Sequence, residues 1–368
     1  MTELVNVFIL AAGRGERLRP ITFHIPKPLL PIVGKPVIES VLEKVILLPV
    51  KRIGINLHYK ADAMRDWIAR LPSREKIDIF LEEAILGTGG ALRNARDFLS
   101  EGVFLVHNSD ILSDIDAGAL IDFHRASGNI ATLAVHDFPK LNTVGIDSRG
   151  LFTGVGNSSV TALKVEKRLA FAGIAVYDPV FLRFIPNGIC SVVDAWTAAA
   201  NSGQRVGTFD VSGSYWTDIG TPSAYAAAVV RKLRAEGESV YIHPSVCGCS
   251  YVEMDGYVVM EEGSYLQKGA SIRNCILLPG SWVKEKDFLG NCIAGPDFVL
   301  PVAEGEMLGS STDEQLFLIG TGGSDREYYR RRWDGGSSVV VRYGRGDMDF
   351  PRHLAYTKFF VKVGVPVP

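Results

Sequence analysis

The sequence predicts an α/β fold: a Rossmann-like, doubly wound and mostly parallel sheet, followed by a short left-handed β-helix of hexapeptide repeats and a third, partial segment. Three observations predict it. Residues 1–135 alternate β-rich runs with amphipathic helical stretches, a six-residue apolar period sets in near Met254, and the pattern breaks again after Gly295-Pro296.

The strand-like runs are Val5–Leu10, 53–57, Ile77–Leu81, 103–107 and 130–135. Between them, Val37, Ile38, Val41, Leu42 and Val45 form a helical apolar stripe, and 61–71 and 91–99 follow the same period. Strand, helix and strand in repetition imply a parallel sheet covered on both faces, with right-handed crossovers. Such sheets bind ligands at the carboxyl ends of their strands. The loops starting at Ala11, Asn108 and Asp218 are therefore expected on one functional edge, provided the strands before them run parallel.

Further on, Met254, Met260, Leu266, Ile272 and Leu278 recur every six residues, with Gly263 and Gly269 in step. That period suits stacked coils that bury an inward apolar column, and 240–295 has room for roughly three coils of about 18 residues. An irregular antiparallel sheet is the alternative. The expected domains are thus 1–238, 239–300 and 314–368. The apolar column offers no convergent acid, base or metal set, so chemistry is expected from the first domain, with the second serving stability or a homo-oligomeric contact.

With 368 residues and 47% apolar content the chain can fill real cores. Lys and Arg number 39 against 41 Asp and Glu, so no global basic field exists to hold nucleic acid or an anionic membrane. Phosphate affinity has to be local. The five cysteines, Cys190, Cys247, Cys249, Cys275 and Cys292, fit reduced thiols, and Cys247 with Cys249 lack the second pair that a metal site needs. The N-terminus lacks a basic start and cleavage site, and no apolar run reaches about 18 residues, so a soluble cytoplasmic protein is expected.

The first strand empties into Leu10-Ala11-Ala12-Gly13-Arg14-Gly15-Glu16-Arg17-Leu18-Arg19-Pro20. Its glycines let backbone amides approach a polyanion, and its arginines can neutralise a triphosphate. Soon after, Pro26-Lys27-Pro28 fixes the backbone on both sides of one lysine, as an ammonium aimed at phosphoryl oxygens requires. Asp110 and Asp218 each stand near the end of a strand-like run. Two carboxylates from different strand ends suffice for Mg²⁺, which takes its other ligands from phosphates and water.

These residues resemble the sugar-1-phosphate nucleotidyltransferases, also called NDP-sugar pyrophosphorylases, over residues 5–236. The motifs that carry the resemblance are the opening loop, Pro26-Lys27-Pro28, Leu86-Gly87-Thr88-Gly89-Gly90-Ala91, Asn108-Ser109-Asp110, Phe171-Ala172-Gly173-Ile174 and Tyr215-Trp216-Thr217-Asp218-Ile219-Gly220-Thr221-Pro222. Within the family the chain is similar to N-acetylmuramate-1-phosphate uridylyltransferases, in Glu16 and in Thr88-Gly89-Gly90. The resemblance implies catalytic roles for Arg17 and Lys27 and a Mg²⁺ site at Asp110 and Asp218. It implies nucleotide contacts at Leu10, Ala11, Ala12, Gly13, Gly15, Glu16, Gly87, Thr88 and Gly89, and sugar contacts at Asn108, Gly145 and Gly173. Glu166-Lys167 is similar to a Glu-Lys-Pro of many relatives, whose lysine meets the sugar phosphate, but Arg168 stands where proline is expected.

The implied reaction joins a nucleoside triphosphate, UTP first, to a sugar 1-phosphate in cell-wall or surface-polysaccharide precursor synthesis. A mannose- or heptose-1-phosphate guanylyltransferase and a non-catalytic NDP-sugar-binding regulatory subunit are the alternatives. After a glycine-rich turn at 320–324, a strand is expected at 338–342 and a helical stretch at 350–363, and residues 318–368 resemble the opening of the N-terminal lobe of aminoglycoside phosphotransferases and related sugar kinases, through 320–330, the strand run 339–342 and 359–368. No catalytic-loop or second metal-binding Asp follows, so a truncated kinase-like segment without sugar-kinase activity is expected.

Overall fold

The computed structural model describes residues 4–156, 158–159, 164–248 and 252–303, and the strands 316–322, 326–333 and 336–342. The chain divides into two compact units, 1–308 and 309–368.

The central sheet of the first unit is parallel from Ile77–Leu81 to Phe104–Asn108, as the sequence suggests, but the sheet as a whole is mixed rather than mostly parallel. Strand Val5–Leu10 lies between Val50–Leu57 and Phe104–Asn108, parallel to both, and Ile77–Leu81 pairs parallel with Val50–Leu57 on the outer side. Beyond Phe104–Asn108 the sheet turns mixed. The long strand Lys167–Tyr177 runs antiparallel to Phe104–Asn108 and to Ala131–His136, and Val206–Asp210 then pairs parallel with Ala131–His136. Alternate residues face opposite sides of a strand. Phe8 accordingly packs into a core with Leu92, Phe104, Tyr177 and Trp196, while Val5, Val7 and Ile9 enter a second core with Ile38, Leu42, Ile55 and Leu120. Both faces are covered. The helical stripe becomes helix Val37–Val45, buried at all five apolar positions named above. The pattern at 91–99 begins earlier than expected, as helix Gly87–Asn94 followed by the single turn Arg96–Leu99.

One expectation about the functional edge is corrected. Trp216–Asp218 does not join the parallel sheet; it forms a two-stranded antiparallel ladder with Ile111–Ser113. Asp218 ends up on the edge because Ile111 follows directly on Asp110, not because its strand runs parallel to the others.

After helix Pro222–Ala235, the strands Val240–Ile242, Glu253–Met260, Ser271–Leu277 and Phe288–Ala294 stack in parallel, and Val299–Pro301 closes the stack antiparallel. A second ladder, Tyr265–Leu266 beside Trp282–Val283, repeats the same advance along the chain. Met260, Leu266, Ile272 and Leu278 are fully buried, and Met254 is partly so. The irregular antiparallel alternative is thereby set aside for these strands. The stack does not have a core of its own throughout. Val259, Ile276, Leu278 and Ile293 share one apolar cluster with Leu18, Leu30, Val33 and the helix residues Tyr225, Val229 and Leu233, so packing runs across the boundary expected at 238/239.

The second unit contributes a three-stranded antiparallel sheet, Leu316–Gly322, Arg326–Trp333 and Gly336–Arg342. The strand expected at 338–342 lies inside the last of these. Gly320, Thr321 and Gly322 end the first strand rather than forming a turn. Gly323, Ser324 and the helix expected at 350–363 lie outside the described residues. Among the described residues, no helix is long and apolar enough to cross a membrane.

Candidate active site

Leu10 and Asn108 end adjacent parallel strands and are register partners, which sets the loops after them side by side. The opening loop is then anchored from below. Ala11 donates its amide to Asn56 Oδ1 at 2.7 Å, Asn56 Nδ2 donates to Glu82 Oε1 at 2.7 Å, and Glu82 Oε2 accepts the Leu86 amide at 3.0 Å. Asn56 and Glu82 are both buried. A buried polar chain satisfied at every link fixes the loops it joins, here the 11–20 loop and the 86–90 loop. Sequence reasoning missed both residues. Their signal was a polar residue inside the apolar run Val50–Leu57 and an acid directly after Ile77–Leu81.

Gly15 has a left-handed φ of 62°, and a Cβ there would lie 2.8 Å from Thr22 Cγ2 and 3.3 Å from Lys27 Cβ. Only glycine lets the loop close onto the segment that carries the lysine. Arg17 and Gly13 are exposed, and Glu16 pairs with Arg19 at 3.1 Å. Lys27 opens a short turn, Lys27–Leu29, and its side chain is mostly buried.

Four of the expected residues converge. Lys27 Nζ bonds Asp110 Oδ2 and lies 3.2 Å from Asp218 Oδ1, while Arg17 reaches Asp218 Oδ2 at 3.4 Å. The aspartates are held close by backbone: Asp218 pairs with Ile111, and the Ile219 amide donates to the Asp110 carbonyl at 3.2 Å. No group of three potential metal ligands occurs among the described residues. Two carboxylates this close suit a hard divalent cation that takes its remaining ligands from phosphates and water, and here the Lys27 ammonium fills the place between them.

Beside this charged edge lies a cavity of about 280 Å³. Val106, Phe171, Tyr177 and Trp196 give it an apolar lining, and Thr88, Asn108, Thr143 and Ser191 give it neutral polar groups. Trp196 donates its indole N–H to the Tyr177 hydroxyl at 3.0 Å, and burial pushes the Tyr177 phenol up from its ordinary range, so it stays neutral. Leu10, Thr88 and Asn108 of the expected contact set line the cavity. Gly145 sits in strand Val144–Ile146 next to the lining residue Val144, and Gly173 is pressed against Asn108, with a would-be Cβ 3.1 Å from Asn108 Nδ2. The Trp216 indole donates to the Ala172 carbonyl at 2.8 Å, tying this strand to the Asp218 ladder.

The glycines at 87–90 serve close packing. A Cβ on Gly87, whose φ is 73°, would meet the Cys190 carbonyl, and the Gly89 amide donates to that same oxygen at 3.0 Å. The Thr88 hydroxyl accepts the Val192 amide at 2.8 Å, leaving its own proton to donate. Lys167 pairs with Asp210 at 2.9 Å, and the neighbouring Arg168 donates to the Thr143 carbonyl at 3.1 Å. Arg168, not Lys167, is therefore the cation beside the cavity rim.

A glycine loop with an exposed arginine, a lysine between two carboxylates and an adjacent half-apolar cavity, gathered at one edge of an α/β sheet, are the features of a phosphoryl- or nucleotidyl-handling enzyme. The nucleotidyl transferase family profile matches residues 6–234, and the chain belongs to that family, among the sugar-1-phosphate nucleotidyltransferases. It is 27% identical over 314 residues to a mannose-1-phosphate guanyltransferase of Hypocrea jecorina, covering 78% of this chain and 85% of the relative. It is 28% identical over 282 residues to the bifunctional protein GlmU of Methanococcus maripaludis, covering 72% and 62%. Among solved structures, HddC from Yersinia pseudotuberculosis in complex with GMP-PN aligns with a TM-score of 0.53 and 25% identity over 62% of this chain and all of HddC.

Proposed function

We propose that the chain transfers a nucleotidyl group from a nucleoside triphosphate to a sugar 1-phosphate, releasing pyrophosphate. The observation that carries this reading is the convergence of Arg17, Lys27, Asp110 and Asp218 beside a cavity sized for one sugar. A phosphate oxygen of the sugar attacks the α-phosphorus in line, the new O–P bond forms, and the bond to the pyrophosphate oxygen breaks. No covalent enzyme intermediate is required. Arg17 and Lys27 hold the triphosphate and offset the charge that builds as two polyanions meet. Asp110 and Asp218 hold Mg²⁺, which when bound adds positive charge at the phosphates. Positioning and charge stabilisation supply the rate.

The sugar occupies the cavity. No charged side chain lines it among the described residues, which favours a neutral sugar over one bearing a free carboxylate such as N-acetylmuramate, because a buried carboxylate needs a paired cation. The names of the guanyltransferase relatives and the guanine nucleotide in the HddC complex favour GTP with a neutral hexose or heptose 1-phosphate. The first expectation from sequence, UTP with an N-acetylated amino sugar, is the second reading. What favours it is the face of Phe171 and Trp196, whose rings meet edge to face at 4.9 Å and suit an acetyl methyl group. Pyrophosphate release from GTP and UTP, each tested with mannose, heptose and N-acetylglucosamine 1-phosphates, separates the two. The strands stacked from Val240 to Ala294 form a left-handed β-helix in this reading, and the enzyme works in the cytoplasm on precursors of cell-wall or surface polysaccharide.

A further inference from the structure

The segment that carries Lys27 is gripped at two points by the stacked strands. Its far end is the hairpin turn Val33-Gly34, where Val33 has φ 54° and Gly34 φ 81°. A β-branched residue in the left-handed region is strained, and such strain persists only where the surroundings enforce it. What enforces it here belongs to the coils. The Gly34 amide donates to both carboxylate oxygens of Glu261, each at 3.1 Å, and Val33 is buried in the cluster that contains Val259, Ile276 and Ile293. The Tyr241 hydroxyl fills the space where any Gly34 side chain would stand. At the near end, His24 meets Asp297 at 2.8 Å and stacks on Phe298, with ring centroids 5.6 Å apart. Between these grips the Tyr225 hydroxyl donates to the Pro31 carbonyl at 2.7 Å.

Glu261 is buried without a cation partner among the described residues, facing Glu262, Tyr225 and Tyr241. An ionisable group kept in such a place costs stability, so a packing role alone would be served better by an apolar side chain, which could not accept the Gly34 amide. We propose that Glu261 is a positioning residue for nucleotidyl transfer: through the Gly34 amide it holds the strained 33–34 turn, and with it the 27–37 segment, so that Lys27 stays between Asp110 and Asp218. The stacked strands then act on the chemistry, contrary to the expectation that they serve stability or assembly alone. The inference rests on the proposed transfer reaction for its kinetic consequence, but not for its structural one.

The test is a set of variants of the full chain, read by hydrogen exchange and by single-turnover kinetics. Glu261→Ala is expected to speed amide exchange in 27–37 with no change in 86–94. It is also expected to lower kcat by about ten- to a hundredfold with KM for either substrate within about threefold, the size that a misplaced catalytic group costs. Glu261→Gln, whose amide oxygen still accepts the Gly34 N–H, is expected to restore most of the rate. In a Lys27→Ala background, Glu261→Ala is expected to add little, because the residue acts through Lys27. Unchanged exchange in 27–37, or a full additional loss on top of Lys27→Ala, would overturn the proposal. Should Glu261→Ala fail to fold, Glu261→Leu keeps the volume while removing the acceptor of the Gly34 amide. It must speed exchange in 27–37 and lower kcat about tenfold, and no change in either would equally overturn it. If no substrate pair yields product, the transfer reading fails while the exchange result still decides the positioning claim.

Discussion

The charged edge and the stacked strands treat carboxylates in opposite ways. At the edge, Asp110 and Asp218 are partly exposed and share Lys27, and Asp218 also meets Arg17. In the stack, Glu261 is buried and, among the described residues, receives only a backbone amide. A carboxylate beside cations at an open edge can meet a metal and phosphates. A buried one without a cation is held close to neutrality and works as a geometric fixture. Burial pushes the Glu261 carboxyl from its usual 4.5 up to about 7, with the Glu262 charge adding to the rise and the Gly34 amide opposing it. The difference shows how one chain divides reactivity from placement.

The comparison breaks most readily at the edge. Asp110→Asn and Asp218→Asn are each expected to lower turnover by about a thousandfold or more, since in the proposed reaction each would hold the Mg²⁺ that adds positive charge at the phosphates. The thermal midpoint should move little. Near wild-type turnover, measured by pyrophosphate release, would take that residue out of the site. Next in size, Lys27→Ala and Arg17→Ala should each cost about 3 kcal/mol of transition-state stabilisation, or about a hundredfold in kcat/KM.

At the buried carboxylate the expected effect is on stability. Its folded-state pKa lies above its unfolded value, so the native state holds the proton more tightly between about pH 4.5 and 7. Its contribution is full below that window and is lost as pH rises through it, a swing of up to about 3 kcal/mol at 1.36 kcal/mol per pKa unit. Glu261→Gln should flatten that part of the stability profile, and denaturant titrations at pH 5 and pH 8 would show it. The smallest effect is expected in the cavity. Trp196→Ala should raise KM for the sugar phosphate about tenfold while leaving KM for the nucleotide alone, since one lost apolar contact is worth about 1–3 kcal/mol.

Much of the charged edge was legible because motif chemistry and position coincide there: loops at strand ends carry charges, and glycines and prolines mark where the backbone must bend. The alternation of strands and helices was equally plain from apolar periodicity. The route by which Asp218 reaches Asp110 was not legible, since a three-residue strand such as Trp216–Asp218 has no pattern that reveals its partner or direction. Lys167 against Arg168 turned on strand parity. Lys167 pairs with Ile146 and Arg168 with Gly145, so neighbours in sequence point to opposite sides. The contacts of Asn56 with Glu82 and of Gly34 with Glu261 span long sequence separations, and a single sequence carries no signal for which distant partner a buried polar group will find. The six-residue period pointed to a regular stack, seen as parallel strands, yet it could not show that the stack shares a core with helix Pro222–Ala235.

The account is tested most directly by measuring product formation from labelled GTP or UTP with a panel of neutral sugar 1-phosphates. It predicts one NDP-sugar formed for each pyrophosphate released, with both substrates required and with the yield abolished by Asp110→Asn. Release of pyrophosphate without any sugar 1-phosphate, or no product from any pair, would contradict it.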